Sequence, residues 1–423
     1  MIKIFKYGEI EREAIFARKE AVKGLEGIVA EIIENVKKRG DAALYEYAEK
    51  FDGGLPGGLE VTEAEIDEAF SAVSPDLIAV MREAEENIRA FHSRQVSKGF
   101  VMTEKEGVIL GQRVTPIEKV GIYVPGGTAA YPSTVLMNAV PAKIAGCGEI
   151  VMATPAKAGK ISPAILAAAR IAGVTRIFKT GGAQAVAALA YGTETVPKVM
   201  KIVGPGNSFV AEAKRQVYGL VSIDMIAGPS EILCVADEKS DPAQLAADLL
   251  SQAEHSEAAS AVLVTDSEEL AKGVQNEIEL QLAALPRSEI ARASIEDNGK
   301  IIICPDIKTA VEISNEIAPE HLELSVDDPF SLLPLVRNAG SVFMGRYCPE
   351  ALGDYFAGPN HTLPTGGTAK FSSPLGVEDF VKRSQFSYWS KDALNSASEK
   401  VALFARAEGL EAHARSALSR GEK

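Results

Sequence analysis

The sequence predicts an α/β protein with two doubly wound parallel-sheet domains, each an incomplete Rossmann-like unit, and a helical C-terminal dimerisation arm. Three observations carry this. From Lys119 onward, short apolar runs alternate with segments of helical periodicity, as βαβ units with right-handed crossovers require. The palette is Ala, Val, Ile and Gly with a single Trp, and 46% hydrophobic residues in a chain of 423 suffice for two or three domain cores. From about Ser372 the chain reads as polar and helical with few bulky apolar groups, which suits an arm on a partner subunit better than an independent core.

The first hundred residues read mainly as helix. Residues 21–39 carry apolar positions at helical spacing and stop at Gly40, Thr62 with Glu65 forms a capping box, and Pro75 opens a long helix towards His92. A β-rich stretch at 100–114 follows. Then come strand 120–124, the turn Pro125-Gly126-Gly127, helix 131–145, strand 149–153, helix 163–172 and strand 176–178. A helix from Ala183, strand 200–203 and a helix from Asn207 complete that series. A second series runs through strand 232–236, helix 242–254, strand 261–265, helix 268–282, strand 300–304, helix 309–317 and strand 322–325. These patterns place residues 1–118 with 230–371 in one α/β domain, its helical N-terminal part packed on the later sheet. Residues 119–229 form the second domain and 372–423 the arm.

A net charge of −14 argues against nucleic acid or an anionic membrane as partner, and no apolar run approaches the ~20 residues of a membrane span. Residues 1–13 are charged throughout and lack the apolar centre of a signal peptide. The four cysteines, Cys147, Cys234, Cys304 and Cys348, have no CxxC spacing, so a reduced, cytoplasmic protein is expected.

Histidine carries the functional signal. Only five occur, and four sit among acids or amides: His255 after Gln252 and Glu254, His321 after Glu320, His361 after Asn360, and His413 following Glu408. Imidazole is the commonest metal ligand and titrates nearest neutral pH, so this selectivity suggests one site assembled from distant segments. Gln252 and His255, three residues apart at a helix end, share a face and could grip one metal; a plain polar helix end fits equally. Glu320 and His321 lie after the helix-ending Pro319, where adjacent side chains can address one cavity as an acid/base pair; a solvated turn fits equally. Residues 353–367 are the densest run of turn formers and offer Asp354 and His361 as donors. The glycine turns at 126–127, 181–182 and 204–206 follow strands and precede helices, where backbone N–H groups favour phosphate, but none matches GxGxxG.

Taken together, these segments resemble the histidinol dehydrogenase family. The matching stretches run in order from Gly40-Asp41-Ala42-Ala43-Leu44 through Gly181-Gly182-Ala183-Gln184-Ala185, Gly204-Pro205-Gly206-Asn207 and Ala227-Gly228-Pro229-Ser230-Glu231. They continue through Gln252 to His255, Ala318-Pro319-Glu320-His321-Leu322, 353–364 and 408–413, nearly the whole chain. The resemblance implies a homodimeric, zinc- and NAD-dependent oxidation of L-histidinol through L-histidinal to L-histidine. It implies zinc on Gln252, His255, Asp354 and His413, the last from the other subunit by way of a swapped arm, and Glu320 and His321 as acid/base residues. Ser230, His361 and Glu408 would join His321 and the metal ligands around substrate, and Tyr123, Gln184 and Asn207 would contact NAD in the 119–229 domain. Rival readings are a dehydrogenase of another small alcohol, a zinc hydrolase, which leaves the NAD-type residues unexplained, and a ligand-binding protein, which leaves Glu320 and His321 without a role.

Overall fold

The structure is a computed structural model and describes residues 1–9, 15, 24–126 and 130–421. Gly127 of the first glycine turn and the opening residues of the 21–39 helix lie outside these. Strand β1 (Lys3–Lys6) precedes helices α1 (Glu26–Arg39), α2 (Asp41–Asp52), α3 (Glu63–Ala72) and α4 (Pro75–His92), then β2 (Phe100–Met102) and β3 (Val108–Pro116). A first α/β series follows: β4 (Lys119–Tyr123), α5 (Pro132–Ala145), β5 (Glu149–Thr154), α6 (Pro163–Ala172), β6 (Arg176–Lys179), α7 (Gly182–Tyr191), β7 (Lys201–Val203), α8 (Ser208–Val217) and β8 (Ser222–Ile223). The second comprises β9 (Glu231–Ala236), α9 (Pro242–Ala253), β10 (Ser260–Thr265), α10 (Glu268–Leu282), α11 (Ser288–Asp297), β11 (Lys300–Ile303), α12 (Ile307–Ile317), β12 (His321–Ser325), β13 (Ser341–Met344) and α13 (Glu350–Tyr355). β14 (Val381–Trp389), α14 (Ser398–Ala407) and α15 (Glu411–Leu418) close the chain.

Contacts divide the chain into two compact units, residues 1–95 with 118–380 and residues 96–117 with 381–423. The first holds both parallel sheets. One has five strands in the order β6-β5-β4-β7-β8, and the other six in the order β1-β11-β10-β9-β12-β13. The six-stranded sheet is covered on both faces, and the strand period decides which. Ile232, Cys234 and Ala236 of β9 pack with Leu245, Leu249 and Ala253 of α9, whereas Leu233 and Val235 pack with Val311 and Ile313 of α12. On β12, Leu322 and Leu324 join the α12 side. His321 and Glu323 therefore face α9, beside their register partners Ile232 and Cys234. Two polar residues on the buried face of a central strand need partners, and these make the site.

The capping box stands as read: the Glu65 N–H donates to Thr62 Oγ1 at 3.3 Å, and the Thr62 N–H returns to Glu65 Oε2 at 2.8 Å. The N-terminal helices are placed differently. Val29, Ile33, Val36 and Leu44 pack against the alanine-rich α7 and the sheet of the first series, not on the later sheet, while α3 and α4 lie against α5 and α6. An apolar stripe states that a helix is buried but not against what. Among the described residues of the first hundred, only β1 joins the later sheet, beside β11.

The second unit also departs from the expected boundaries. Its helical C-terminal segment is preceded by the nine-residue β14, which pairs antiparallel with β3, with β2 on the other side. Val-Lys-Arg-Ser-Gln has no alternating apolar pattern, so this strand owes its form to pairing with a segment far away in sequence. Gly409, at φ 78°, separates α14 from α15, between Glu408 and His413.

Candidate active site

The site forms at the amino ends of β9 and β12. Ala318, at φ 51°, ends α12, and His321 opens β12 as a strand residue, one position further into the sheet than a loop placement implies. Its Nδ1 lies 2.9 Å from the carbonyl oxygen of Glu231, an acceptor only, so Nδ1 carries the proton. Nε2 is buried without a hydrogen-bond partner among the described residues. It faces Asp354 Oδ1 at 3.6 Å and Glu350 Oε1 at 4.0 Å, both beyond hydrogen-bond reach. Burial alone would strip the imidazole of a second proton. The carboxylates of Glu320, Asp354 and Glu350 reverse this and push His321 up to about 10. Glu320 accepts the Glu231 N–H at 2.9 Å, and burial pushes its carboxyl up to about 8 against the attraction of His321.

The short helix α13 presents Glu350 and Asp354 four residues apart, on one face. Burial works against the Asp354 charge, yet the imidazoles of His321 and His361 hold its carboxyl below the usual range. His361 Nδ1 donates to the Asp354 carbonyl at 3.0 Å, which leaves its Nε2 bare, and burial lowers its pKa. Helix α9, opened by the Asp241 side chain accepting from Ala243 at 2.8 Å, supplies buried Gln252. His255 follows in the turn after that helix, its N–H on the Gln252 carbonyl at 3.1 Å. Burial lowers its pKa too, against the pull of Asp354 and Glu254. The loop carrying Asp354 and His361 is anchored on the first α/β series: Asn360 donates to the Met137 carbonyl at 2.6 Å, and Asn87 of α4 to that of Phe356 at 2.9 Å.

The structure thus gathers Gln252, Glu320, His321, Asp354 and His361, with Ser230 at the mouth of β9. The donor set fits a divalent cation: His321, Glu350 and Asp354 offer ligand atoms within 4.8 Å of one another, and an orphaned buried imidazole nitrogen stands between two carboxylates. Glu408 and His413 lie exposed in the second unit. Sequence reasoning missed Glu350, Glu323 and Asp248. Burial and the neighbouring Asp248 carboxylate push Glu323 up to about 8, and it accepts the Glu350 N–H at 2.6 Å and the Cys234 thiol at 3.3 Å. The readable signal was there: His-Leu-Glu-Leu-Ser alternates polar with apolar in a central strand, and Glu350 precedes Asp354 by one helical turn.

The remaining candidates cluster elsewhere in the first unit. Tyr123 ends β4, Gly182 follows β6 and Asn207 follows β7, all at carboxyl ends of the five-stranded sheet. The strand order reverses between β4 and β7, the place where open α/β sheets bind ligands. The Tyr123 hydroxyl accepts the Gly182 N–H at 3.1 Å, two residues from buried Gln184. Asn207 caps α8, accepting from Phe209 and Val210 at 3.1 and 3.2 Å. Gly204, at φ 109°, tolerates no Cβ, which would run into the Tyr123 carbonyl. A buried Lys214–Asp224 ion pair clasps this turn, Lys214 donating to the Gly204 carbonyl at 3.0 Å and Asp224 accepting its N–H at 2.8 Å.

The profile of the family described as "Histidinol dehydrogenase" matches residues 16–421. The chain belongs to the histidinol dehydrogenase family. It is 56% identical over 406 residues to the histidinol dehydrogenase of Syntrophotalea carbinolica, covering 95% of this chain and 94% of that one. With that of Listeria monocytogenes (serovar 1/2a) it shares 55% over 399 residues, 94% and 93% of the two chains. The crystal structure of histidinol dehydrogenase from Elizabethkingia anophelis superposes with a TM-score of 0.94 at 37% identity, over 99% of this chain and 98% of that one. The protein is therefore an oxidoreductase with the dehydrogenase function of histidine biosynthesis, and the family fold carries the acid-rich pocket described above.

Proposed function

We propose that the protein oxidises L-histidinol through L-histidinal to L-histidine, using two NAD and a zinc-held substrate. One observation carries the reading: His321 is buried with Nδ1 tied to a carbonyl and Nε2, without a hydrogen-bond partner among the described residues, facing two carboxylates that raise its affinity for a proton. Gln252, His255, Asp354 and His413 of the partner subunit would hold the zinc. When bound, it supplies a fixed anchor that orients a substrate bearing an amine and an imidazole. NAD, beside Tyr123, Gln184 and Asn207, supplies the hydride acceptor.

His321 Nε2 takes the hydroxyl proton while hydride leaves the carbinol carbon, giving the aldehyde. Asp354 and Glu350 stabilise the imidazolium so formed. Glu320 takes a proton from water as the water oxygen adds to the aldehyde carbon, while His321 returns its Nε2 proton to the carbonyl oxygen to give the hydrate; the hydrate then loses a second hydride as its hydroxyl proton passes to the freed Nε2 of His321. Ser230, His361 and Glu408 join His321 and the metal ligands around substrate; the bare Nε2 of His361 suits an N–H or O–H donor. A steady-state assay with L-histidinol and NAD should give two NADH per histidine, abolished by chelator and restored by zinc. Turnover stopping at one NADH would sink the four-electron reading.

The same reading makes the protein a cytoplasmic homodimer in which residues 372–423 complete the partner's site. The second unit supports this: its core is little more than Ala402, Ala405, Ala414 and Leu418, yet Leu403 and Phe404 are 73% and 71% exposed and Val101 62%. Among the described residues no helix is long and apolar enough to cross a membrane. Complementation tests the shared site. Heterodimers of His321→Asn and His413→Asn subunits carry one site with both lesions and one with neither, so up to half the activity per heterodimer should return. None returning from verified heterodimers would confine His413 to its own subunit.

A further inference from the structure

We propose that the buried Lys214–Asp224 pair positions the dinucleotide mouth: by holding the Gly204 peptide from both sides, it fixes the turn that presents the Asn207 amide at the end of β4. The inference rests on the NAD reading above. Both side chains are 1% exposed. Lys214 lies on α8 and Asp224 just past β8, so the pair joins two elements across the end of β7. Val210, Ala213, Val217 and Val221 of the same region are buried and apolar. In such surroundings an ion pair adds little stability over apolar residues of similar size, because both charges lose their water. What apolar residues could not supply is a partner for each polar group of one peptide. The registered pairing of β7 ends at Val203 on the β4 side and at Ile202 on the β8 side, which leaves the Gly204 N–H and carbonyl beyond the ladder. Asp224 Oδ2 accepts that N–H at 2.8 Å, and Lys214 Nζ donates to that carbonyl at 3.0 Å. Asp224 Oδ1 has no hydrogen-bond partner among the described residues, and the Lys214 ammonium balances its charge. Held in this way, the turn is pressed on its neighbours from two sides. A Cβ on Gly204 would stand 2.1 Å from the Tyr123 carbonyl oxygen, and one on Gly206 2.5 Å from Val210. Asn207 uses its side-chain oxygen to accept from Phe209 and Val210, at 3.1 and 3.2 Å, so its amide N–H₂ is what it has left to offer a ligand. The clamp on Gly204 sets where that donor sits.

The test reads kcat and the KM values for NAD and histidinol on the full-length protein, with NADH affinity from a fluorescence titration and thermal unfolding as a control on folding. Removing one partner strands a buried charge, so the informative variant is Lys214→Met/Asp224→Asn, which removes both charges at nearly the same volume. Its new amide can still accept the Gly204 N–H, but nothing donates to the Gly204 carbonyl. It should unfold close to the wild-type temperature, raise the KM for NAD by about 10-fold and weaken NADH to match, the worth of one charge-assisted hydrogen bond. The kcat at saturating NAD and the KM for histidinol should stay close to wild type. Adding Asn207→Ala to this double variant should give a KM for NAD no higher than that of the more severe parent, because the clamp acts through Asn207. An unchanged KM for NAD in the folded double variant overturns the proposal. So does an equal loss in kcat or in the KM for histidinol, which marks general damage, and so do losses that multiply with Asn207→Ala. Asn207→Ala alone keeps two failures apart. If it raises the KM for NAD and the double variant does not, only the clamp fails; if neither does, the NAD mouth falls with it. Should the double variant not fold, Asp224→Asn alone, which keeps the shape and lets Lys214 shed its proton, must raise the KM for NAD at unchanged kcat.

Discussion

The two sheets of the first unit are built alike and furnished differently. At the amino ends of β9 and β12, Glu320, Glu350, Asp354 and His321 crowd together, and burial and mutual charge displace each from its ordinary titration range. At the carboxyl ends of β4, β6 and β7 the furnishing is backbone N–H groups, one tyrosine hydroxyl and two amides, and the nearby charges Lys214 and Asp224 neutralise each other. Groups that move protons must be desolvated to acquire useful pKa values. A ligand that brings its own charge needs only room and donors, which glycine turns at helix starts provide. The proposed chemistry thus sits on one sheet, and the proposed dinucleotide mouth on the other.

If this division holds, the largest loss comes from the acid-rich edge. His321→Asn should slow both oxidations by about 10²–10⁴-fold, measured as kcat with histidinol and with histidinal. A variant within a few-fold of wild type on both would remove His321 as the base. Next, Glu320→Gln should mainly impair oxidation of histidinal, by on the order of 10²-fold, and spare the first step. With its carboxyl pushed up to about 8, the ionised, water-activating form of Glu320 accumulates as pH rises through that value. Histidinal oxidation by the wild type should rise over that range, and the limb should flatten in the variant; an unchanged profile would break the assignment.

The other edge should answer more mildly and in KM. Asn207→Ala removes a helix cap worth about 1 kcal/mol and should raise the KM for NAD while leaving kcat at saturating NAD nearly unchanged. An unaltered KM would mean that the switch-point mouth does not hold the dinucleotide. The smallest effect is expected at Cys147, whose buried thiol is pushed up to about 11 and points at the Phe380 carbonyl, 3.8 Å away. Cys147→Ser should oxidise histidinol and histidinal like wild type. Stalling at the aldehyde would put a thiohemiacetal into the pathway.

Much of the pocket was legible before any coordinates. The polar motifs holding Gln252, His255, Glu320, His321, Asp354 and His361 stood out against a histidine-poor background, and all lie in the first unit near the amino edge of one sheet. Glu350 was not legible, because an acid at a helix start is ordinary in sequence and becomes unusual only when buried. Asp248 and Glu323 were hidden for the same reason, since two carboxyls raise each other's pKa only once α9 approaches β12.

The sequence by itself determined the alternation of strands and helices, the capping box at Thr62 and the helix stop at Gly40. These depend on residues within a few positions of one another, where periodicity and backbone freedom act directly. Only the tertiary structure decided that α1 to α4 pack on the first α/β series, that residues 381–389 form a strand on β3, and that buried Glu350 lies beside His321 and Asp354. An apolar stripe, an edge of unpaired N–H groups or a lone carboxylate each demands a partner, yet none of them specifies which of many distant segments will supply it.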